Sequence, residues 1–246
     1  MRKSRKRCSR GLKLNSADLA RGIRKVWDYA KILKLDEVFS GPTALEASES
    51  FKELALSNSA NYEEIYLAGL RESQYNILLK DLAYFQFGLG QQGSVRYAYY
   101  PNPFLGRSDA AVKDLSELKD FVEEGILDID EYLHRISELR RPQHPPLVRY
   151  ENAPAQHVEL IHPCSHFHFG HHSDNRWPIR RVLTPSLFSL LLFKHHYSEF
   201  WLSTRDIKIG RNGMSIDELL SKSKKECQIL PVELFTDQES KQFYFS

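Results

Sequence analysis

A chain of 246 residues can bury one good core, so one domain with additions is expected. Charged residues are 27% and hydrophobic residues 41%, as in a soluble globular protein, and a net charge of +2 excludes a polycation. The cysteines, Cys8, Cys164 and Cys227, are odd in number, far apart and without a CxxC. This argues against a disulfide framework or a thiolate zinc site and favours a cytoplasmic setting.

No apolar run reaches membrane-spanning length, so no membrane partner is expected. The basic start, Arg2 to Arg7, leads into no apolar stretch and does not read as a signal peptide. Residues 1–14 read as a basic arm carrying Arg2, Lys3, Arg5, Lys6, Arg7, Arg10 and Lys13. Such an arm can contact phosphates or simply be a solvated tail. Residues 15–246 are expected to form a single α+β domain, which admits two lobes meeting near 140–147.

Asn15 or Ser16 can cap a helix running to about Leu35, with Leu19, Ile23, Val26, Trp27, Ala30 and Leu33 at helical spacing. Gly41-Pro42 breaks the chain, and a weaker helix is expected over 43–56. Composition predicts strands over Tyr62–Leu70, Tyr75–Lys80 and Leu82–Phe87. Gly88-x-Gly90-x-x-Gly93 has the spacing of a dinucleotide fingerprint but links two strands, whereas a phosphate-binding loop opens a helix. Ser94–Tyr100 is the next strand, with Arg96, Ala98 and Tyr100 on one face and Tyr97 and Tyr99 on the other. Arginine beside tyrosines can hold phosphate and stack on bases, and it equally suits a half-buried strand.

Helices are expected over Asp114–Glu124 and Asp128–Leu139, then an extended Arg140–Pro146 linker. Leu147–Glu151 is a short strand with Arg149 and Glu151 on one face. Thr184 and Pro185 start a buried helix through Tyr197, with His195 and His196 near its dipole-favoured C-terminal end. Ser215–Lys225 reads as a polar helix and Val232–Phe245 as a loose or edge-like tail. The neighbouring strands and short connections suggest an antiparallel sheet with helices packed mainly on one side.

Eight of the ten histidines lie between His134 and His172, which marks the stretch from His162 to Pro178 as a site. On a strand, His166 and His168 share one face and Phe167 and Phe169 the other. The phenyl face is expected on the core and the imidazoles in a cleft or solvent. Two such imidazoles can bind a divalent metal, with His162 as a third ligand, act as general acid and base, or donate to an anion. They can also be a polar strand face whose histidines bond to neighbours. His171 and His172 read as solvated loop.

Two blocks carry a resemblance. They are Arg96-Tyr97-x-Tyr99-Tyr100-Pro101-x-Pro103-Phe104 and Arg149-Tyr150-Glu151…His162-Pro163-x-Ser165-His166-x-His168-x-Gly170…Arg176-x-Pro178…Thr184-Pro185-x-x-Phe188…Tyr197. Together they resemble a bacterial domain-of-unknown-function family, DUF2290-like, over most of the chain after about residue 60. Glu151 stands where an aspartate is expected, and Trp177 replaces a smaller apolar residue. The family carries no established activity to transfer. The Arg-Tyr-acid pattern followed by a histidine strand is also similar to small toxins suspected to attack RNA.

Other templates fail. Gly170 occupies the third position that a histidine triad needs, and there is no His-Glu-x-x-His, Gly-x-Ser-x-Gly or P-loop. A Cys164 nucleophile has no helix N-terminus to lower its pKa. The residue types suit a nucleic-acid-directed hydrolase, RNA favoured. His166 and His168 serve as acid/base or metal ligands, Glu151 and Arg149 complete the catalytic group, and Arg96, Tyr97, Tyr99, Arg176 and Ser165 bind substrate. The one cofactor candidate is a divalent metal. The alternative is a non-catalytic subunit of a multi-component defence or toxin-type system that binds nucleic acid or a protein partner.

Overall fold

Period-two alternation organises the molecule around one antiparallel sheet. The computed structural model describes residues 14–57, 59–104, 117–138, 145–171, 175–210 and 213–243. Seven strands lie side by side in chain order: β1 (Asp36–Phe39), β2 (Ile77–Leu79), β3 (Tyr84–Leu89), β4 (Val95–Tyr100), β5 (Val148–Asn152), β6 (Ser165–Phe169) and β7 (Trp177–Pro178). Every neighbouring pair is antiparallel. β4 and β5 pair directly although the connection between them is long. The basic arm, most of the 140–147 linker and His172 lie outside the described residues.

The first sheet face carries Phe85, Phe87, Tyr97, Tyr99, Val148 and Tyr150. Against it pack α1 (Ser16–Ile32) and α6 (Pro185–His196), with α8 (Ile216–Glu226) beyond. α1 follows its expected stripe: Leu19, Ile23, Val26 and Ala30 are buried, and the Asn15 side chain accepts from Asp18 N–H. α6 is apolar nearly all round because it lies between the sheet, α1 and α8.

The second face carries Leu78, Tyr84, Ala98 and Tyr100 under α2 (Glu49–Leu56), α3 (Tyr62–Arg71) and α5 (Ile129–Glu138). A further helix, α4, is described over 117–123. The longest helices therefore share the first face, as expected, but the second is also covered as far as β4. Beyond β4, the second face of β5 and β6 turns polar, with Arg149, Glu151, His166 and His168.

Tyr62–Leu70 is helix α3, not a strand. Asn61 and Glu64 form a reciprocal capping box, and Tyr62, Ile65, Tyr66 and Gly69 bury one helical stripe. The 43–56 helix is confined to 49–56, where the Ser48 side chain caps it. The expected loose tail contains α9 (Asp237–Phe243), whose start is tied by a Thr236–Glu239 exchange. α7 (Ser198–Ser203) follows α6 almost without a break. Among the described residues no helix is long and apolar enough to cross a membrane.

Candidate metal and phosphate site

Strand register assembles the site. Arg96 of β4 faces Glu151 of β5, which faces His166 of β6. In the adjoining row Ala98 faces Arg149, which faces His168. Cross-strand partners have Cβ atoms roughly 5 Å apart, so two rows put two carboxylate or cation positions beside two imidazoles.

The imidazoles converge. His166 Nε2 and His168 Nε2 are 3.0 Å apart, with ring planes at 70°. His166 Nδ1 lies 2.7 Å from Pro163 O. A carbonyl can only accept, so Nδ1 carries the proton and Nε2 presents its lone pair toward His168. A backbone carbonyl accepting from one ring nitrogen orients metal-ligating histidines in the same way. Both rings are buried, His166 at 0% and His168 at 6% exposure. The expected parity is right, but the imidazoles are buried instead of facing solvent, and Phe169 on the opposite parity is an exposed ring.

Burial, then the neighbouring His168, pushes His166 down to about 4, so it stays neutral at pH 7. Burial works against the Glu151 carboxylate, but Arg96, His168 and Arg149 outweigh it and hold it below the usual range. Arg96 Nε is 3.4 Å from Glu151 Oε1. Burial and the charge of Arg96 depress Arg149, whose Nε is buried without a hydrogen-bond partner. A buried guanidinium nitrogen left unpaired is costly, and an anion is its natural partner.

Glu151, His166 and His168 each offer a ligand atom, all within 4.8 Å of one another. Metal–nitrogen bonds of about 2.1 Å to nitrogens 3.0 Å apart subtend roughly 90°. A Glu151 carboxylate oxygen lies within 4.8 Å of both nitrogens. Glu151 is 24% exposed and Arg96 53%, so the cluster opens to solvent on that side. Open positions separate a catalytic ion from a structural one.

Not every expected residue joins. His162 is the expected third ligand, but the side chains whose candidate ligand atoms lie within 4.8 Å of one another are Glu151, His166 and His168. The His162 ring stands edge-on to His166 at 5.1 Å, but its backbone is held in a bridge with Val158, ahead of Pro163. Its Nδ1 is buried without a partner. Ser165 lies on the first face, where Tyr150 donates to Ser165 and Ser165 donates to Arg181 O. Tyr97 and Tyr99 are also on that face; Tyr99 donates to Tyr197, which donates to Asp81. All three are core groups that no substrate on the second face can touch. Arg176 is close enough for its charge to act on Arg149.

Other titratable groups have structural surroundings. His196 stacks on Tyr99 at 5.3 Å, and His171 tilts against Tyr62 at 6.0 Å. Burial pushes the Cys164 thiol up to about 11, which leaves no thiolate for nucleophilic attack. Cys164 and Cys227 are free and buried. Glu239, not among the expected site residues, is fully buried and 3.2 Å from His157 Nε2. Its signal was Thr236-x-x-Glu239, a capping-box spacing.

The depressed His166 pKa makes stability depend on pH. The unfolded chain protonates this histidine near pH 6.5 while the folded chain resists until about 4. Stability is therefore complete above pH 6.5 and falls as pH drops through that window, by roughly 3 kcal/mol. Urea midpoints measured at pH 7 and pH 4.5 are expected to fall accordingly. An unchanged midpoint would contradict the buried, neutral histidine.

The fold and site define an antiparallel α+β protein with a two-histidine, one-carboxylate cluster flanked by arginines. The chain belongs to the DUF2290 family, described as an uncharacterized conserved protein, whose model matches residues 40–246. The match begins some twenty residues before residue 60, where the resemblance was expected to start. No curated protein and no solved structure matches the chain.

Proposed function

We propose that this protein hydrolyses phosphodiester bonds of nucleic acid with a divalent ion held by Glu151, His166 and His168. The observation that carries the proposal is the convergence of the two Nε2 atoms, 3.0 Å apart, beside the Glu151 carboxylate. A bound divalent ion supplies a more acidic water and a Lewis acid for the phosphoryl oxygen. Pro163 O holds His166 in the tautomer that keeps Nε2 free of its proton. Arg149 and Arg96 face the developing negative charge on the phosphoryl oxygens. RNA stands first as substrate because the Arg-Tyr-acid and histidine-strand pattern is similar to small toxins suspected to attack RNA.

A second reading draws on one observation. The imidazoles are buried and hydrogen-bonded to each other, as a purely structural polar pair would be. The chain would then be a non-catalytic subunit that binds nucleic acid or a protein.

The test is incubation of the purified chain with mixed RNA and single-stranded DNA, with Mn²⁺ or Mg²⁺ and with EDTA. Cleavage by the wild type that disappears with EDTA supports the first reading. A folded wild type that cleaves neither substrate with either ion supports the second.

A further inference from the structure

A cleft of about 110 Å³ lies on the second sheet face beneath α2, next to the Glu151 row. Gln86, Gly88 and Ala98 line it from the sheet, with Phe51 and Tyr100 beside them and Arg96 shared with the Glu151 ion pair. At 10–15 Å³ per water-sized position it offers on the order of eight positions, the scale of one planar ring.

Gly88 makes the cleft. Register puts it opposite Arg96, so any side chain at 88 would share the face of Gln86, Arg96 and Ala98. The backbone does not require glycine there. Its φ lies outside the left-handed region, and an added Cβ would meet only Arg96 O at 3.5 Å and Leu45 O at 3.7 Å, ordinary contacts. Glycine inside a strand weakens it and often marks a close approach by a ligand.

We propose that this cleft seats one unpaired nucleobase of the substrate while its phosphate lies between Arg96 and Arg149, so that the substrate is single-stranded. This rests on the phosphodiester reading above. Three features support a base. The lining combines aromatic rings with small residues, which suits a flat ring. Arg96, shared between the cleft and the Glu151 row, suits the attached phosphate. One strand spacing, about 4.8 Å, separates Arg96 from the Glu151 strand, within reach of a single nucleotide. A paired base inside a duplex could not enter.

The test is calorimetric binding of CMP, AMP, ribose 5-phosphate and octyl phosphate, with Mn²⁺, to wild type and Gly88→Leu, with melting curves for both. The wild type is expected to bind the nucleotides at least about tenfold tighter than ribose 5-phosphate. Gly88→Leu is expected to erase that difference while binding ribose 5-phosphate as before. Should Gly88→Leu fail to fold, Ala47→Trp blocks the same cleft from the α2 side. Equal wild-type affinities, or a difference that survives the blocked cleft, overturn the base seat. Tighter binding of octyl phosphate than of CMP also overturns it and assigns the cleft to an alkyl group. A base-dependent difference in a protein that cleaves no RNA leaves the seat standing and removes only the hydrolase reading.

Discussion

Glu151→Gln is expected to weaken divalent-ion binding at least about a hundredfold and to abolish phosphodiester cleavage, with a melting temperature lower by only a few degrees. The loss follows because the amide removes the only carboxylate of the triad while keeping its shape. Even outer-shell changes cost about 10–100-fold in metal affinity, so loss of a ligand costs at least that. The small stability effect follows because Glu151 and its partner Arg96 are both partly exposed, and such a pair contributes about 0–1 kcal/mol. His166→Ala is a poorer probe. It empties a fully buried position and leaves Pro163 O without its donor, so lost activity would be mixed with lost stability. Calorimetric Mn²⁺ titration, RNA cleavage and a melting curve on Glu151→Gln check all three expectations.

Phe188→Ala is expected to lower the melting temperature by about 6–20 °C. Its ring meets those of Phe85, Phe87, Tyr97, Tyr150 and Phe167 at centroid distances of 5.7–6.4 Å, so four strands of the first face depend on it. Truncating a buried phenylalanine costs about 3–5 kcal/mol. In a chain of this size, each kcal/mol moves the midpoint by roughly 2–4 °C. The cavity would open on the face opposite Glu151, His166 and His168. Below its melting transition the variant is therefore expected to bind Mn²⁺ as the wild type does. Thermal denaturation and the same Mn²⁺ titration separate core from site.

Much of this was legible in the sequence. Alternation predicts which residues of β4, β5 and β6 share a face, and the Thr184-Pro185 start of α6 is where expected. Partner choice was not legible. Glu151 and His166 are fifteen residues apart, and nothing in either strand states that they stand opposite each other. His162 has the parity of His166, yet its bridge to Val158 takes it out of the β6 row. Tyr97 and Tyr99 looked fit for nucleobases, but the packing of α6 on that face decides that they are core. The aromatic and β-branched composition of Tyr62–Leu70 suggests a strand, but the Asn61-x-x-Glu64 capping box and a four-residue buried stripe make it α3. Four-residue β1 at the sheet edge has no alternation to find.

The burial of the histidines changes what a mutation means. An exposed pair could be deleted with little structural cost, and loss of activity alone would identify it. Here the stability effect of histidine deletion is expected under either reading, so the charge of Glu151 carries the discrimination. The unpartnered Nε of Arg149 on the same face gives that discrimination a second anchor, because it calls for an anion where Glu151 would hold an ion.

The most direct measurement is calorimetric titration of the folded wild-type chain with Mn²⁺, beside Glu151→Gln. One ion bound per chain, lost in the variant, is the predicted result. A folded wild type that binds no Mn²⁺, or binds it equally well after Glu151→Gln, would contradict the metal site on which the proposed hydrolysis depends.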